Sequence, residues 1–190
     1  MKILMTGVTG LIGRSLSRSL AGAGHEVIGL SRAPEKARGV AVAEMHGWDP
    51  LSGPPPAEAL KDVGAVVHLA GESIAARRWT DEQKRRIRDS RVISTRNLVE
   101  AIRRAQPRPE VFVSGSAVGL YGDTGDRPVD EDSPAGVGFL SDVCKEWEAE
   151  AEAVRDLSVR LVLVRTGVVL SPEDGALKKM LPPFKLGVAG

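Results

Sequence analysis

Short apolar runs alternate along the chain with stretches in which apolar residues recur every three or four positions. The runs predict strands at residues 3–5, 26–30, 40–45 (the weakest), 65–70, 110–113 and 159–164. The amphipathic stretches predict helices at residues 11–23, 81–104 and 139–154. This alternation is typical of an α/β fold. We expect a doubly wound (Rossmann) parallel sheet with strand order 3-2-1-4-5-6 and helices on both faces.

Composition narrows the classes of protein to consider. The 190 residues include 26 Lys and Arg against 25 Asp and Glu, and only 4% are aromatic, which argues against a nucleic-acid binder. The single cysteine, Cys144, cannot form an internal disulfide, and neither metal-ligand spacings nor a membrane-length apolar run occur in the sequence. We therefore expect a soluble cytoplasmic protein without metal, nucleic-acid or membrane partners.

A glycine motif lies between the first predicted strand and the first predicted helix. Gly7, Gly10 and Gly13 have the spacing that permits a tight turn, a close approach of the backbone to a pyrophosphate, and close packing of helix on sheet. The pyrophosphate would lie at the helix N-terminus, where free N–H groups and the helix dipole favour an anion. The residues expected to contact the cofactor here are Gly7, Thr9, Gly10, Leu11, Ile12 and Gly13. The alternative is a structural glycine turn that binds no nucleotide.

The end of the second predicted strand bears on the choice of dinucleotide. NAD binders usually place an acid there to bind the ribose 2′-hydroxyl, whereas this chain has Ser31 and Arg32, with no acid until Glu35. An arginine at that point can pair with a 2′-phosphate, so we predict NADP(H) rather than NAD(H). The alternative is that Arg32 is an ordinary surface charge. Asp49, after the predicted third strand, is a candidate for contact with the adenine edge.

Motifs further along the chain resemble the short-chain dehydrogenase/reductase superfamily, in its extended or atypical branch. His-Leu-Ala-Gly at 68–71 is similar to the superfamily's cofactor-contacting motif, and 114–122 is similar to the motif that carries its active-site serine. Gly-Glu-Ser-Ile-Ala at 71–75, Arg-Trp-Thr at 78–80 and Arg-Thr-Gly-Val-Val-Leu at 165–170 resemble an atypical NAD-dependent epimerase/dehydratase-like subgroup of unknown substrate. The cofactor contacts that this resemblance implies are Leu69, Ala70, Gly71, Arg91 and Val169.

The superfamily's acid/base chemistry uses a Tyr and a Lys four residues apart on one helix, with a Ser that orients the substrate oxygen. Here one helix register places Leu140 and Cys144 at the Tyr and Lys positions, and the register shifted by one residue places Ser141 and Lys145 there. Neither contains a tyrosine, so only Ser116 is carried over.

Substitute catalytic candidates are therefore Tyr121, which is the chain's only tyrosine, and Cys144, with Arg91 as a further possibility. Three interpretations of Cys144 stay open. It is a small buried apolar residue, an unreactive lining of the cofactor pocket, or a reactive thiol of low pKa.

The leading hypothesis is an NADP(H)-binding oxidoreductase or epimerase-like protein that acts on a small substrate with a hydroxyl or carbonyl group. The alternatives are a catalytically idle dinucleotide-binding sensor or protein-interaction module, for example one linked to cell division, and a binder of a different nucleotide. Residues 1–170 are expected to form the dinucleotide-binding domain. Chains of the resembled family continue well beyond this point, so residues 171–190 are expected to begin an incomplete substrate-binding segment. Residues 161–164 and 168–170 would then form an uncovered apolar sheet edge, which a homodimer or a missing segment would cover.

Overall fold

Six parallel strands form one sheet in the order β3-β2-β1-β4-β5-β6, as the sequence predicts. The computed structural model describes residues 1–75, 77–172, 175–185 and 187. In these residues the strands are β1 (Lys2–Thr6), β2 (Glu26–Ser31), β3 (Glu44–Gly47), β4 (Ala65–His68), β5 (Val111–Ala117) and β6 (Arg160–Thr166), and the helices are α1 (Leu11–Gly22), α2 (Asp81–Arg104), α3 (Phe139–Glu152) and α4 (Gly175–Lys185). Strand β2 lies on one side of β1 and β4 lies on the other, so the strand order reverses at β1. This reversal opens a crevice at the carboxyl ends of these strands.

The central strands β1 and β4 are buried on both faces, which explains why they are almost continuously apolar. On one face, Leu4, Val66 and Phe112 pack in a cluster with Leu98 and Ile102 of α2 and with residues of α3. On the other, a second cluster contains Ile3, Met5 and Val67, packed against Leu16 and Leu20 of α1.

Helix α2 has sequence signals at both of its ends, and its observed bounds are those predicted. Thr80 caps the N-terminus by accepting a hydrogen bond from the Gln83 amide at 3.2 Å. Asp81 and Glu82 lie in the first turn and Arg103 and Arg104 in the last, which is the charge order that the helix dipole favours. The cap and the end charges therefore stabilise the two ends of this long helix.

The prediction for the third strand was wrong in its position. Residues 40–43 lie outside β3, which spans Glu44–Gly47 and pairs with Ile28–Ser31 of β2. Val40 and Val42 instead pack against the cluster on the α1 face. An apolar run here signals coverage of the core rather than pairing within the sheet.

The carboxyl ends of two further predicted strands also differ. Leu69 and Ala70 lie beyond β4, because their amides donate to the Thr6 side chain and not to a neighbouring strand. Residues 168–170 do not extend the sheet edge. Leu170 forms only an isolated antiparallel bridge with Gly175, and Val168 is 78% exposed. In the described part of the chain, no strand pairs with the outer edge of β6.

Of the predicted segment 171–190, residues 173, 174, 186 and 188–190 lie outside the described residues, and α4 occupies most of the rest. No helix among the described residues is both long enough and apolar enough to cross a membrane. These residues also contain no cluster of three or more His, Cys, Asp or Glu side chains arranged for a metal ion.

Candidate functional site

The turn between β1 and α1 leaves no room for side chains at two of its glycines. Gly7 has a φ of +66°, and a Cβ atom there would lie 2.6 Å from the carbonyl oxygen of Leu69. A Cβ atom at Gly13 would lie 2.2 Å from the carbonyl oxygen of Gly7. Only glycine fits both positions, so the chain can turn tightly and α1 can approach the sheet.

The first turn of α1 begins at this loop. The N-cap is Gly10, which has no side chain that could accept a hydrogen bond. The N–H groups of the first turn therefore have neither a side-chain cap nor a partner within the helix. Leu11, Ile12 and Gly13 supply these amides, and their contact with a pyrophosphate stays a prediction. The side chain of Ile12 is exposed.

A cleft of about 400 Å³ opens above the carboxyl ends of β1, β2 and β4. Nine of the predicted cofactor residues line it: Gly7, Thr9, Gly10, Ser31, Arg32, Asp49, Leu69, Ala70 and Gly71. Leu11, Ile12, Gly13, Arg91 and Val169 are not part of its lining. The cleft also exposes Lys36, which the sequence analysis did not single out. Two cations, Arg32 and Lys36, therefore flank Ser31 at one end of the cleft.

Asp49 lines this cleft but is engaged in its own turn. Its two carboxylate oxygens accept hydrogen bonds from the Leu51 amide at 3.1 Å and the Ser52 hydroxyl at 2.7 Å. The Ser52 hydroxyl and then the Leu51 amide hold the pKa of the Asp49 carboxyl below its usual value. The carboxylate thus shapes the loop at the wall of the cleft.

A buried hydrogen-bond network supports the glycine turn from below. Thr6 Oγ1 accepts from the amides of Leu69 and Ala70, so its own hydrogen goes to His68 Nδ1 at 2.6 Å. On the other side of the ring, Nε2 lies 3.0 Å from Thr95 Oγ1, whose hydrogen goes to the Arg91 carbonyl. The pattern fits a neutral imidazole protonated at Nε2 and ties β1, β4 and α2 together beneath the cleft.

Arg91 projects from α2 towards the end of β4. Its Nη1 donates to the carbonyl oxygens of Glu72 and Ile87, both at 3.0 Å, and its guanidinium lies 5.4 Å from the centre of the Trp147 ring. A Cβ atom at Gly71 would come within 3.2 Å of the guanidinium carbon. Arg91 therefore lies directly behind the cleft wall that Gly71 forms. Burial lowers the pKa of its guanidinium.

A second polar group lies where β5 and β6 end. Ser116 Oγ donates to Glu148 Oε1 at 2.5 Å, and Arg165 binds the same carboxylate through Nε–Oε1 and Nη2–Oε2 contacts of 3.0 Å each. Arg165 Nη1 also donates to the Tyr121 hydroxyl at 2.9 Å. The structure thus joins two predicted catalytic residues, Ser116 and Tyr121, through Glu148 and Arg165.

Cys144 lies beside this group, one helical turn before Glu148. Its thiol is buried and lies 3.9 Å from the carbonyl oxygen of Ala117. Burial first, and then the negative charge of Glu148, raise the pKa of the Cys144 thiol. This environment opposes the interpretation of a reactive low-pKa thiol and favours a small buried residue at the edge of the site.

The structure also bears on the shifted helix register. Lys145 is exposed and binds Asp142 at 2.8 Å on the surface, while Ser141 is buried and donates to the carbonyl oxygens of Leu120 and Gly136. A Ser141–Lys145 pair therefore does not face the Ser116 group. Leu140, the alternative residue at the Tyr position, packs near Gly119.

Of Glu148 and Arg165, the sequence analysis used only the arginine, as part of the motif at 165–170. Their partnership joins α3 to β6 across 17 positions of sequence, and no periodicity reports such a contact. Pairing of β5 with β6 places Ser116 opposite Arg165. Both residues lie beyond the strands predicted at 110–113 and 159–164, because β5 and β6 extend to Ala117 and Thr166, so the predicted strands did not reveal this contact.

Comparisons with known proteins agree with this geometry. A model of the NAD dependent epimerase/dehydratase family matches residues 3–184. The epimerase family protein Mb2239 of Mycobacterium bovis is 42% identical over 98% of this chain and 60% of its own length. The epimerase family protein SDR39U1 of Homo sapiens is 38% identical over all of this chain and 62% of its own length. This chain thus spans about three fifths of the length of these curated relatives.

Solved structures show the same architecture. The crystal structure of human epimerase family protein SDR39U1 (isoform 2) with NADPH has a TM-score of 0.84 and 38% identity, covering 100% of this chain and 61% of that one. The nucleoside-diphosphate sugar epimerase from Corynebacterium glutamicum has a TM-score of 0.81 and 37% identity, covering 100% of this chain and 39% of that one.

Proposed function

The chain belongs to the NAD dependent epimerase/dehydratase family, and we propose that it binds a nicotinamide dinucleotide in the cleft above β1 and β4. The observation that carries this proposal is the turn at Gly7 and Gly13, where a Cβ atom would collide with the backbone. A turn of that shape lets backbone amides approach a pyrophosphate at the N-terminus of α1. The similarity to a structure solved with NADPH supports the same assignment.

The charge at the far end of the cleft favours NADP(H) over NAD(H). Ser31, Arg32 and Lys36 line the end that would hold the adenosine ribose, and two cations there suit a 2′-phosphate. The only acid in that part of the lining, Asp49, has both oxygens engaged by Leu51 and Ser52. A ribose 2′-hydroxyl would therefore lack the free carboxylate that NAD binders usually supply.

We further propose that the protein acts as an oxidoreductase or epimerase on a small compound with a hydroxyl or carbonyl group. A bound nicotinamide supplies or accepts the hydride. Ser116 orients the substrate oxygen, and because its own hydrogen points to Glu148, its oxygen accepts from a substrate hydroxyl. Arg165 holds Glu148 in place for this contact. Tyr121 is the candidate proton donor, since Arg165 connects its hydroxyl to the Ser116 group and the raised pKa makes Cys144 a weaker acid than an ordinary thiol.

An idle dinucleotide-binding module is the second candidate function. In one of the two helix registers, Leu140 and Cys144 of α3 take the positions of the resembled superfamily's Tyr and Lys, and neither exchanges protons readily at neutral pH. NADPH turnover with a panel of aldehydes, ketones and keto acids separates the two functions. Turnover that Ser116→Ala abolishes supports the enzyme. NADPH binding without turnover supports the module.

Titration of the purified chain with NADPH and NADH, followed by nicotinamide fluorescence, tests the cofactor assignment. We expect tighter binding of NADPH, with Arg32→Ala and Lys36→Ala each weakening NADPH by about tenfold, as expected for the loss of one charge-assisted hydrogen bond. NADH affinity should change by less than about twofold. Arg38→Ala is the matched control, because this substitution removes the same charge from a nearby residue that does not line the cleft. Equal losses for both cofactors would remove the argument for a 2′-phosphate, and no binding of either would refute the dinucleotide site.

A further inference from the structure

A second cavity, of about 290 Å³, opens at the N-terminus of α2 and shares no lining residue with the dinucleotide cleft. Its lining consists of Arg77, Arg78, Thr80, Glu82, Gln83 and Arg86. Three guanidinium groups thus surround a space that contains one carboxylate. The excess positive charge is local, because the whole chain has a net charge of only +1.

Two of the three arginines have no ionic partner. The guanidinium of Arg86 binds Glu82 at 2.6 Å, which neutralises the only acid of the lining. Within the described part of the chain, the guanidinium groups of Arg77 and Arg78 make neither a hydrogen bond nor an ion pair. Arginines crowded around one cavity repel each other unless an anion lies between them.

The helix end adds donors to the same space. Thr80 accepts from the Gln83 amide, so the cap satisfies one of the first three amides of a 24-residue helix. The amides of Asp81 and Glu82 find no acceptor among the residues that the structure describes. Together with the helix dipole, they favour an oxyanion at this end.

Gln83 gives an independent indication of a ligand. Its side chain lines the cavity although the residue is only 4% exposed, and its Nε2 is buried without a hydrogen-bond partner. A buried amide nitrogen without an acceptor is unfavourable by about 1–3 kcal/mol, so such groups usually have a partner. An oxygen acceptor beside the Gln83 side chain would remove this cost.

Residues beside this cavity are linked to both parts of the proposed active site. Trp79, beside the lining, packs edge-on against Phe139 at 5.5 Å, and Phe139 is the first residue of the helix that carries Glu148. In the other direction, Gln83 and Ser90 are separated by two turns of α2, roughly 10 Å, and Ser90 lines the dinucleotide cleft. A molecule anchored here would have to span roughly 10 Å to reach the residues of the dinucleotide cleft.

We propose that this cavity binds a phosphoryl group, and that it anchors the phosphorylated end of the substrate while the reacting carbon lies near Ser116. Guanidinium forks and helix amides match the several oxygens of a phosphoryl group better than the two of a carboxylate. Asp81 and Glu82 interrupt the positive surface at the cavity mouth, which disfavours a long polyanion such as nucleic acid. The assignment of the anchored molecule as substrate rests on the proposed function above.

The test uses inorganic pyrophosphate as the probe and the ¹⁵N-labelled chain, first alone and then with saturating NADPH. We expect pyrophosphate to shift the amide signals of Asp81, Glu82 and the Gln83 side chain in both conditions. Arg78→Ala should weaken pyrophosphate binding by about fivefold or more, the effect of one exposed charge on a phosphate. Arg85→Ala is the matched control, since it removes the same charge from the same helix outside the cavity, and its effect should stay below about twofold.

Each other outcome counts against the site. Equal losses in Arg78→Ala and Arg85→Ala would mean unspecific attraction to a basic helix. Shifts confined to residues 7–13 would place the probe in the glycine turn instead. Tighter binding of a single-stranded oligonucleotide than of pyrophosphate, with the same dependence on Arg78, would replace the substrate anchor by a nucleic-acid surface. NADPH affinity is measured on the same samples, so a failure of the dinucleotide site is distinguished from a failure of this cavity.

Discussion

Arg165 binds the carboxylate of Glu148 through two parallel hydrogen bonds of 3.0 Å, Nε to Oε1 and Nη2 to Oε2. Both side chains are largely buried, with exposures of 21% and 12%. Burial alone would raise the pKa of the Glu148 carboxyl, but the hydrogen bonds from Arg165 and Ser116 outweigh it and lower that pKa. Glu148 is therefore ionised at neutral pH and fixes the direction of the Ser116 hydroxyl.

Replacement of Glu148 should show that this buried ion pair contributes more to the free energy of unfolding than an ion pair on the surface. Glu148→Gln leaves Arg165 without its counter-ion and removes one acceptor of the fork, so we expect a loss of about 2 kcal/mol in the free energy of unfolding. Glu152→Gln is the matched control on the same helix, where the pair with Arg155 is exposed. Its effect should be below about 0.5 kcal/mol. Urea unfolding measures both, and equal losses would show that the buried pair has no special role.

The two glycines of helix α1 should respond oppositely to alanine. A Cβ atom at Gly13 would lie 2.2 Å from the Gly7 carbonyl oxygen, whereas one at Gly22 would meet nothing within 4 Å. We expect Gly13→Ala to lower stability by about 1–3 kcal/mol through overpacking and to abolish dinucleotide binding. Gly22→Ala should keep binding and gain up to about 1 kcal/mol from helix propensity. Thermal unfolding and NADPH titration of the two variants decide, and retention of binding in Gly13→Ala would contradict the proposed cradle.

The sequence predicts the fold well where hydrophobic pattern and element coincide. The apolar strands lie in the expected sheet order. Helix α2 has the predicted bounds, and the capping residue Thr80 and the acidic residues Asp81 and Glu82 mark its N-terminus in the sequence. The third strand is misplaced because Val40 and Val42 satisfy the same pattern by packing against the α1 face. Apolar periodicity reports burial, and burial does not require hydrogen bonds within the sheet.

The candidate site divides in the same way. The glycine turn is predictable because its backbone geometry demands residues of one type at fixed spacing. Lys36 and the partnership of Glu148 with Arg165 are not, because both depend on which segments the fold brings together. The buried role of His68 is also hidden, since its partners Thr6 and Thr95 are about 60 and 30 positions away in sequence.

The Cys144 thiol should react slowly with thiol reagents in the folded protein. Burial and the charge of Glu148 raise its pKa, so the thiolate, which is the reactive form, is scarce at neutral pH. We expect modification by a disulfide reagent at pH 7.5 to be at least about tenfold slower in the native protein than in urea. Cys144→Ala should leave NADPH affinity within about twofold. Modification at the unfolded rate would instead identify an activated cysteine and revive the third interpretation of this residue.

Acid should weaken the fold through His68. Burial, and then the positive charge of Arg91, lower the pKa of this imidazole from 6.5 to about 3. Between these values the unfolded chain binds a proton that the folded chain excludes, so the free energy of unfolding falls as the pH drops from 6.5 towards 3. The contribution of one such group has a maximum slope of about 1.4 kcal/mol per pH unit.

His68→Gln should be less stable at pH 7, because it breaks the bonds to Thr6 and Thr95, yet its stability should decline less steeply with acid. His25→Gln, which alters a ring near the amino terminus and outside this network, should keep the parent slope. Urea unfolding at intervals between pH 4 and 7 measures the three slopes, and the same slope in His68→Gln as in the parent would show that the ring is protonated in the folded state.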